Sequence, residues 1–198
     1  MNPKELVAAY AKKGFSEHLF AGTSGNLSMF DPKTGKMYIT ASGIRYEEMT
    51  AEDVMVTDLN GAVLEGRHRP SSEWRMHAAV YRAYSGLGAV VHTHSPYATA
   101  FAVCREPIPA ALIEMHFFLG GDIPCAPYAR PGTDAVGESA VPLLTDKGGC
   151  LLANHGVLAV GKDLQEAYLR AEYIEDAAKI YSLAKGIGQP VLLNGLDS

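Results

Sequence analysis

Apolar positions along this chain switch between two periods, and the switches mark its elements. Residues 3–18 carry Leu6, Val7, Tyr10 and Ala11 at helical spacing, which predicts an opening helix. Gly22-Thr23-Ser24-Gly25-Asn26-Leu27-Ser28 reads as a tight loop entering a strand. Asp31-Pro32-Lys33-Thr34-Gly35 has hairpin chemistry and leads to a second strand at Met37-Tyr38-Ile39-Thr40. Val54-Met55-Val56-Thr57 predicts a third strand, Asp58-Leu59-Asn60-Gly61 its turn, and Ala62-Val63-Leu64-Glu65 the return. Pro70-Ser71-Ser72-Glu73 has the signature of a helix start, with serine near the cap and an acid in the first turn. That helix runs to Tyr84. Residues 89–94 predict a buried strand, Ser95-Pro96 opens a helix toward Val103, and residues 122–127 are extended. A helix is expected within 132–145, then strands at 149–153 and 157–160, broken at His155-Gly156. The last helix covers 163–184, capped by Asp163 and stopped by Gly186. Strands and helices mix, and the early strands come as hairpins. The expected fold is therefore a single α/β sandwich over 1–198 with a largely antiparallel sheet.

Composition narrows the class. The chain has 198 residues, 47% hydrophobic and 20% charged, which suits one globular domain with a full core. A net charge of −5 without a basic run argues against a nucleic-acid partner. No apolar stretch reaches the roughly 18 residues of a membrane span, and the start lacks a signal-peptide apolar region. Cys104, Cys125 and Cys150 form no C-x-x-C and read as reduced, buried thiols of a cytoplasmic protein.

The chemistry sits elsewhere. His92 and His94 lie two apart in the apolar run Val90-Val91-His92-Thr93-His94, so a strand projects both from one face. Two buried imidazoles left unpaired there would be costly. His155 sits where an apolar strand meets a glycine, at a place a strand end presents to a cleft. Glu73, at its helix start, is a candidate fourth ligand. Three nitrogens and one oxygen suit zinc. His18, His68 and His77 read as surface or helix-packing residues. Separately, the Gly22–Asn26 loop, Ser42-Gly43 and Ser71-Ser72 offer N–H groups and hydroxyls to an anion, the last pair at a helix N-terminus next to Glu73. None of the nine lysines lies in an apolar strand, where a Schiff-base lysine is expected, so a metal is the better electron sink. There is no G-x-S-x-G elbow and no H-E-x-x-H.

Six stretches carry a resemblance: GTSGNLS (22–28), ITASG (39–43), RPSSEWRMH (69–77), AVVHTHSPYA (89–98), IPCAPYARPGT (123–133) and LLANHGVLAVGKDL (151–164). In this order they resemble the class II aldolase/adducin family, and within it the fuculose-phosphate aldolases. The resemblance implies a three-layer α/β sandwich, its central and mostly antiparallel sheet flanked by helices. It implies a zinc held by Glu73, His92, His94 and His155, and a phosphate pocket from Thr23, Asn26, Ser42, Gly43, Ser71 and Ser72. It implies a lyase that cleaves a ketose 1-phosphate to dihydroxyacetone phosphate and a short aldehyde, with Glu73 as the base. It also implies a homotetramer with active sites between subunits. A 5-deoxyribulose or methylthioribulose 1-phosphate aldolase, or a dehydratase, belongs to the same family. The fuculose enzymes carry a tyrosine after their Ile-Pro-Ala segment. Residues 108–118 have none, which leaves Glu114 or His116 to act as the acid. Those enzymes also carry a longer C-terminal tail than the one ending here at Ser198.

Overall fold

The computed structural model describes residues 2–193. Asn2 caps the first helix in a reciprocal box with Glu5, and Pro3 takes the first turn, so α1 forms over Pro3–Ser16. Eight strands then build one sheet: β1 (Asn26–Asp31), β2 (Lys36–Ile39), β3 (Met55–Thr57), β4 (Val63–Glu65), β5 (Ala89–Thr93), β6 (Cys125–Ala126), β7 (Gly149–Leu152) and β8 (Gly156–Gly161). Their order across the sheet is β4-β3-β2-β1-β5-β8-β7-β6, and only β6 and β7 run parallel. The other helices are α2 (Trp74–Ala83), α3 (Pro96–Cys104), α4 (Asp134–Ala140) and α5 (Leu164–Ile187).

Strand alternation makes the sheet two-faced and the fold three-layered. Ala89 and Val91 of β5 pack with Ala11 of α1, Ala98 of α3 and Tyr168 of α5. Val90 faces the other way, into a second core with Met76 and Val80 of α2 and Val136 of α4. His92 shares the parity of Val90 and so points to the α2 side. β1 lies beside β5 with Asn26 opposite His92 and Ser28 opposite Val90. The centre of the sheet, where β1, β5 and β8 meet, thus carries polar groups on the face that α2 covers.

The expected antiparallel sandwich is present, with local differences. Helix α2 begins at Trp74, which puts Glu73 at its cap and not inside the first turn. The segment 132–145 holds α4 and then a separate 3₁₀ turn at Val141–Leu144, because Pro142 has no N–H to continue the α-helix. Helix α5 runs through Gly186 to Ile187. The extended stretch at 122–127 shrinks to β6. A π-helical turn at Met115–Leu119, ended by Gly120, had no signal in the apolar pattern. Cys104 is exposed, against the expectation of three buried thiols, and all three cysteines are free. No helix among the described residues is long and apolar enough to cross a membrane. The C-terminal tail expectation concerns Ser198, which lies outside the described residues.

Candidate metal centre

Four segments deliver the site. His92 comes from β5, and His94 from just beyond the strand's end. His155 rides the turn between β7 and β8, and Glu73 rides the cap of α2. Local backbone chemistry sets the two loop contributions. Asn154 takes a left-handed conformation (φ 55°), which asparagine tolerates better than most residues, and it turns the chain so that His155 faces inward. Asn154 is pinned by its N–H to the Ala102 carbonyl at 2.9 Å and by Arg105 Nε at 3.0 Å. Gly156 follows because the strands approach too closely for a side chain: a Cβ there would sit 2.2 Å from the Thr93 carbonyl oxygen.

The four ligand atoms lie within 4.8 Å of one another. Glu73 Oε2 is 3.0 Å from His92 Nε2, and Oε1 is 3.2 Å from His155 Nε2. His92 Nε2 and His94 Nε2 are 2.9 Å apart. The three rings stand edge to face, with centroids 4.7–5.1 Å apart. His92 Nδ1 lies 2.8 Å from the Val157 carbonyl, which can only accept. The Nδ1 therefore carries the proton, and in the neutral ring Nε2 presents a bare lone pair to a carboxylate and to another imidazole. Lone pairs crowded in this way repel unless a cation sits among them. Glu73 Oε1 is buried and makes no hydrogen bond of its own among the described residues, another donor atom aimed at the same centre. The donor set and its orphaned oxygen fit a divalent metal.

The electrostatics agree. Burial alone would raise the Glu73 carboxyl, but the polar groups around it, His92 and His155 and then the Asn26 amide, outweigh it and hold the group below the usual carboxylate range. Burial, with the neighbouring imidazoles, pushes His94 and His155 down to about 4. Both rings are thus neutral near pH 7 and ready to ligate.

Beside the cluster lies a cavity of about 460 Å³ lined by Thr23, Asn26, Ser42, Gly43, Ser71 and Ser72, together with Glu73, His94 and His155. All six residues expected to bind phosphate therefore share one space with the metal cluster. Two backbone bonds, Ser42 N–H to Arg69 and Ser71 N–H to Thr40, hold the second and third loops against each other. The first loop is anchored by Tyr46, whose hydroxyl donates to the Gly25 carbonyl at 2.5 Å. Gly25 needs its positive φ of 84°, and a Cβ there would meet Phe20 at 2.6 Å. The cavity lining holds no lysine or arginine among the described residues.

Glu114 and His116 do not reach this cavity within the chain. They lie at the π-helical turn, where Phe118 stacks on Tyr173 of α5 at 4.8 Å. Conversely, His77 is fully buried behind the site and bonded to Asn26. From sequence His77 reads as a surface or helix-packing residue, and its signal is the spacing of four from Glu73.

A two-faced sheet holding three imidazoles, a carboxylate and an anion-sized cavity defines a metal-dependent enzyme. The chain belongs to the class II aldolase and adducin family, whose model, described as Class II Aldolase and Adducin N-terminal domain, matches residues 4–182. It is 41% identical to a 5-deoxy-D-ribulose 1-phosphate aldolase of Bacillus thuringiensis serovar kurstaki, over 96% of this chain and 89% of that one. It is 38% identical to an L-ribulose-5-phosphate 4-epimerase of Salmonella paratyphi B, over 88% and 81%. A solved structure described as L-fuculose 1-phosphate aldolase superposes with a TM-score of 0.92 at 42% identity, covering 97% of this chain and 90% of that one. Lyase chemistry and metal dependence come with this family.

Proposed function

We infer that this chain is a zinc-dependent aldolase that reversibly cleaves a ketose 1-phosphate of the L-fuculose 1-phosphate type. The products are dihydroxyacetone phosphate and a short aldehyde such as lactaldehyde. The observation that carries this reading is the three-histidine, one-carboxylate cluster on the wall of an anion cavity. Thr23, Asn26, Ser42, Gly43, Ser71 and Ser72 bind the phosphate through neutral donors. His92, His94, His155 and Glu73 hold the zinc, which supplies a Lewis acid for the substrate's carbonyl oxygen when bound.

Glu73 has two jobs. It is a ligand at rest, and it exchanges a proton at the substrate's C3 during turnover. In cleavage the C4 hydroxyl gives its proton to a base, the C3–C4 bond parts, and that proton is relayed through solvent to Glu73, which delivers it to C3. Glu114 of a neighbouring copy is our candidate for that base, with His116 beside it. This assignment calls for a homotetramer in which subunits share sites. We take 1–198 as one domain and the cytoplasm as its place of work.

A second substrate has a specific argument. The relative named for 5-deoxy-D-ribulose 1-phosphate is 41% identical across 96% of this chain. Both substrates share the phosphate end and the bond to be broken. They differ in the aldehyde released, lactaldehyde from one and acetaldehyde from the other. An assay that couples dihydroxyacetone phosphate to NADH oxidation tests the reaction, and aldehyde analysis separates the substrates. Release of no dihydroxyacetone phosphate from either sugar by zinc-loaded protein would overturn the aldolase reading.

A further inference from the structure

Glu73, His77 and Tyr81 are spaced four apart, so they stack along one side of α2. Asn26 and Ser28 alternate on β1 and face that side. Four helical residues rise about 6.0 Å and two strand residues about 6.6 Å, so the two rows mesh. They mesh through a continuous buried chain of hydrogen bonds. Tyr81 Oη lies 2.7 Å from Ser28 Oγ, and Ser28 Oγ lies 2.7 Å from His77 Nδ1. His77 Nε2 lies 2.5 Å from Asn26 Oδ1, and Asn26 Nδ2 donates to Glu73 Oε2 at 3.0 Å.

The charge at one end fixes the direction of the chain from Glu73 to Ser28; the Tyr81 hydroxyl at the far end also lies 3.0 Å from the Ser28 carbonyl. Glu73 can only accept, so Asn26 must turn its NH₂ group toward it. The amide oxygen then faces His77 and needs a donor, which places the proton on His77 Nε2. His77 Nδ1 is left as an acceptor for the Ser28 hydroxyl. A flipped amide would set oxygen against carboxylate. His77 is wholly buried, and burial pushes it down to about 3, so the ring stays neutral and carries a single N–H. Among the described residues nothing else holds the Asn26 amide oxygen.

We propose that His77 is a positioning residue: its Nε2–H locks the Asn26 amide, and the amide holds the Glu73 carboxylate in the place from which it ligates metal and moves the C3 proton. This rests on the proton role given to Glu73 above. His77 itself touches neither metal nor substrate. Asn26 keeps its second N–H for the cavity, so one amide serves both the phosphate side and the carboxylate side.

Two experiments test it. Long-range ¹H–¹⁵N spectra of metal-free protein report the tautomer of His77 directly; the Nε2–H form is expected, and the Nδ1–H form overturns the proposal. The second uses dihydroxyacetone phosphate in D₂O, where zinc-loaded protein exchanges the C3 proton without any aldehyde. His77→Phe should slow this exchange about tenfold or more, with a smaller rise in the KM for dihydroxyacetone phosphate because Asn26 also faces the phosphate. His77→Gln sets an amide N–H near the Nε2 position and should restore most of the rate; His77→Asn reaches only the Nδ1 position and should not. Equal rates in the wild type, Phe and Asn forms overturn the proposal. If the wild type binds zinc but exchanges no proton, the reading of Glu73 fails first, and the tautomer measurement still judges His77.

Discussion

His92 Nε2 lies 3.0 Å from Glu73 Oε2, and the same ring gives its Nδ1 proton to the Val157 carbonyl at 2.8 Å. The strand partner therefore decides which nitrogen is left bare for the cluster. Val157 sits opposite Thr93 in the β5–β8 ladder, so pairing register and ligand chemistry are one feature.

Removing the carboxylate's charge separates its two jobs. Glu73→Gln keeps a neutral oxygen toward the three histidines and should retain most of the zinc. Its turnover should fall about 10²–10⁴-fold. Zinc by elemental analysis and rate by the coupled assay measure both sides; near-normal turnover takes the base role away from Glu73.

Losing an imidazole should lose the metal. His92→Ala and His155→Ala each leave three donors. After dialysis they should hold little zinc at a loading that saturates the wild type. Unchanged zinc content in either variant means that the cluster is not the binding site.

The metal-free protein should weaken in acid. Burial, with the neighbouring imidazoles, pushes His94 and His155 down to about 4 in the fold, and burial pushes His77 down to about 3, against 6.5 for ordinary histidine. Between those limits the unfolded chain binds more protons, so unfolding is favoured as pH falls. Stability from these groups is complete above pH 6.5 and declines as pH drops toward 3. Thermal melts in chelator across this range check it. A flat midpoint from pH 7 to 4 would contradict the neutral, buried assignment.

Gly156→Ala tests the close approach beneath His155. The new Cβ meets the Thr93 carbonyl at 2.2 Å, and backbone must move. A loss of about 1–3 kcal/mol is expected, with weaker zinc binding because the His155 turn shifts. Denaturant melts and a chelator competition read the two effects; wild-type values in both would show that the turn yields freely.

Ser72→Ala isolates the anion cavity. Ser72 lines it without the backbone-bracing role of Ser71, whose Oγ accepts the Glu73 N–H at 3.3 Å. Loss of one hydrogen bond to a charged group costs about 1.5–3 kcal/mol, so KM should rise about tenfold or more with little change in kcat. A KM unmoved by the change removes Ser72 from the phosphate site.

Much of this is legible in the amino-acid sequence. The H-x-H in an apolar strand placed two members of the cluster because alternation is a local rule. His155 and Glu73 followed from a strand end and a helix start. The three small-residue loops were recognisable one by one, and the fold then gathered them around one cavity. His77 was not legible: four residues after Glu73 on an amphipathic helix, it reads as packing. Its partners lie on β1, and only the docking of α2 onto that strand shows them. The π-helical turn was equally hidden, since a single residue of extra winding leaves the apolar pattern of 115–119 unchanged. Pro142, by contrast, could have split the 132–145 helix from sequence alone.

The absence of lysine and arginine from the cavity lining, among the described residues, has a consequence for recognition. A phosphate bound there would meet amide dipoles and hydroxyls, with Thr23, Ser42, Gly43 and Ser72 open to solvent. Recognition by this subunit's own lining therefore rests on where neutral donors point rather than on a lysine or arginine charge.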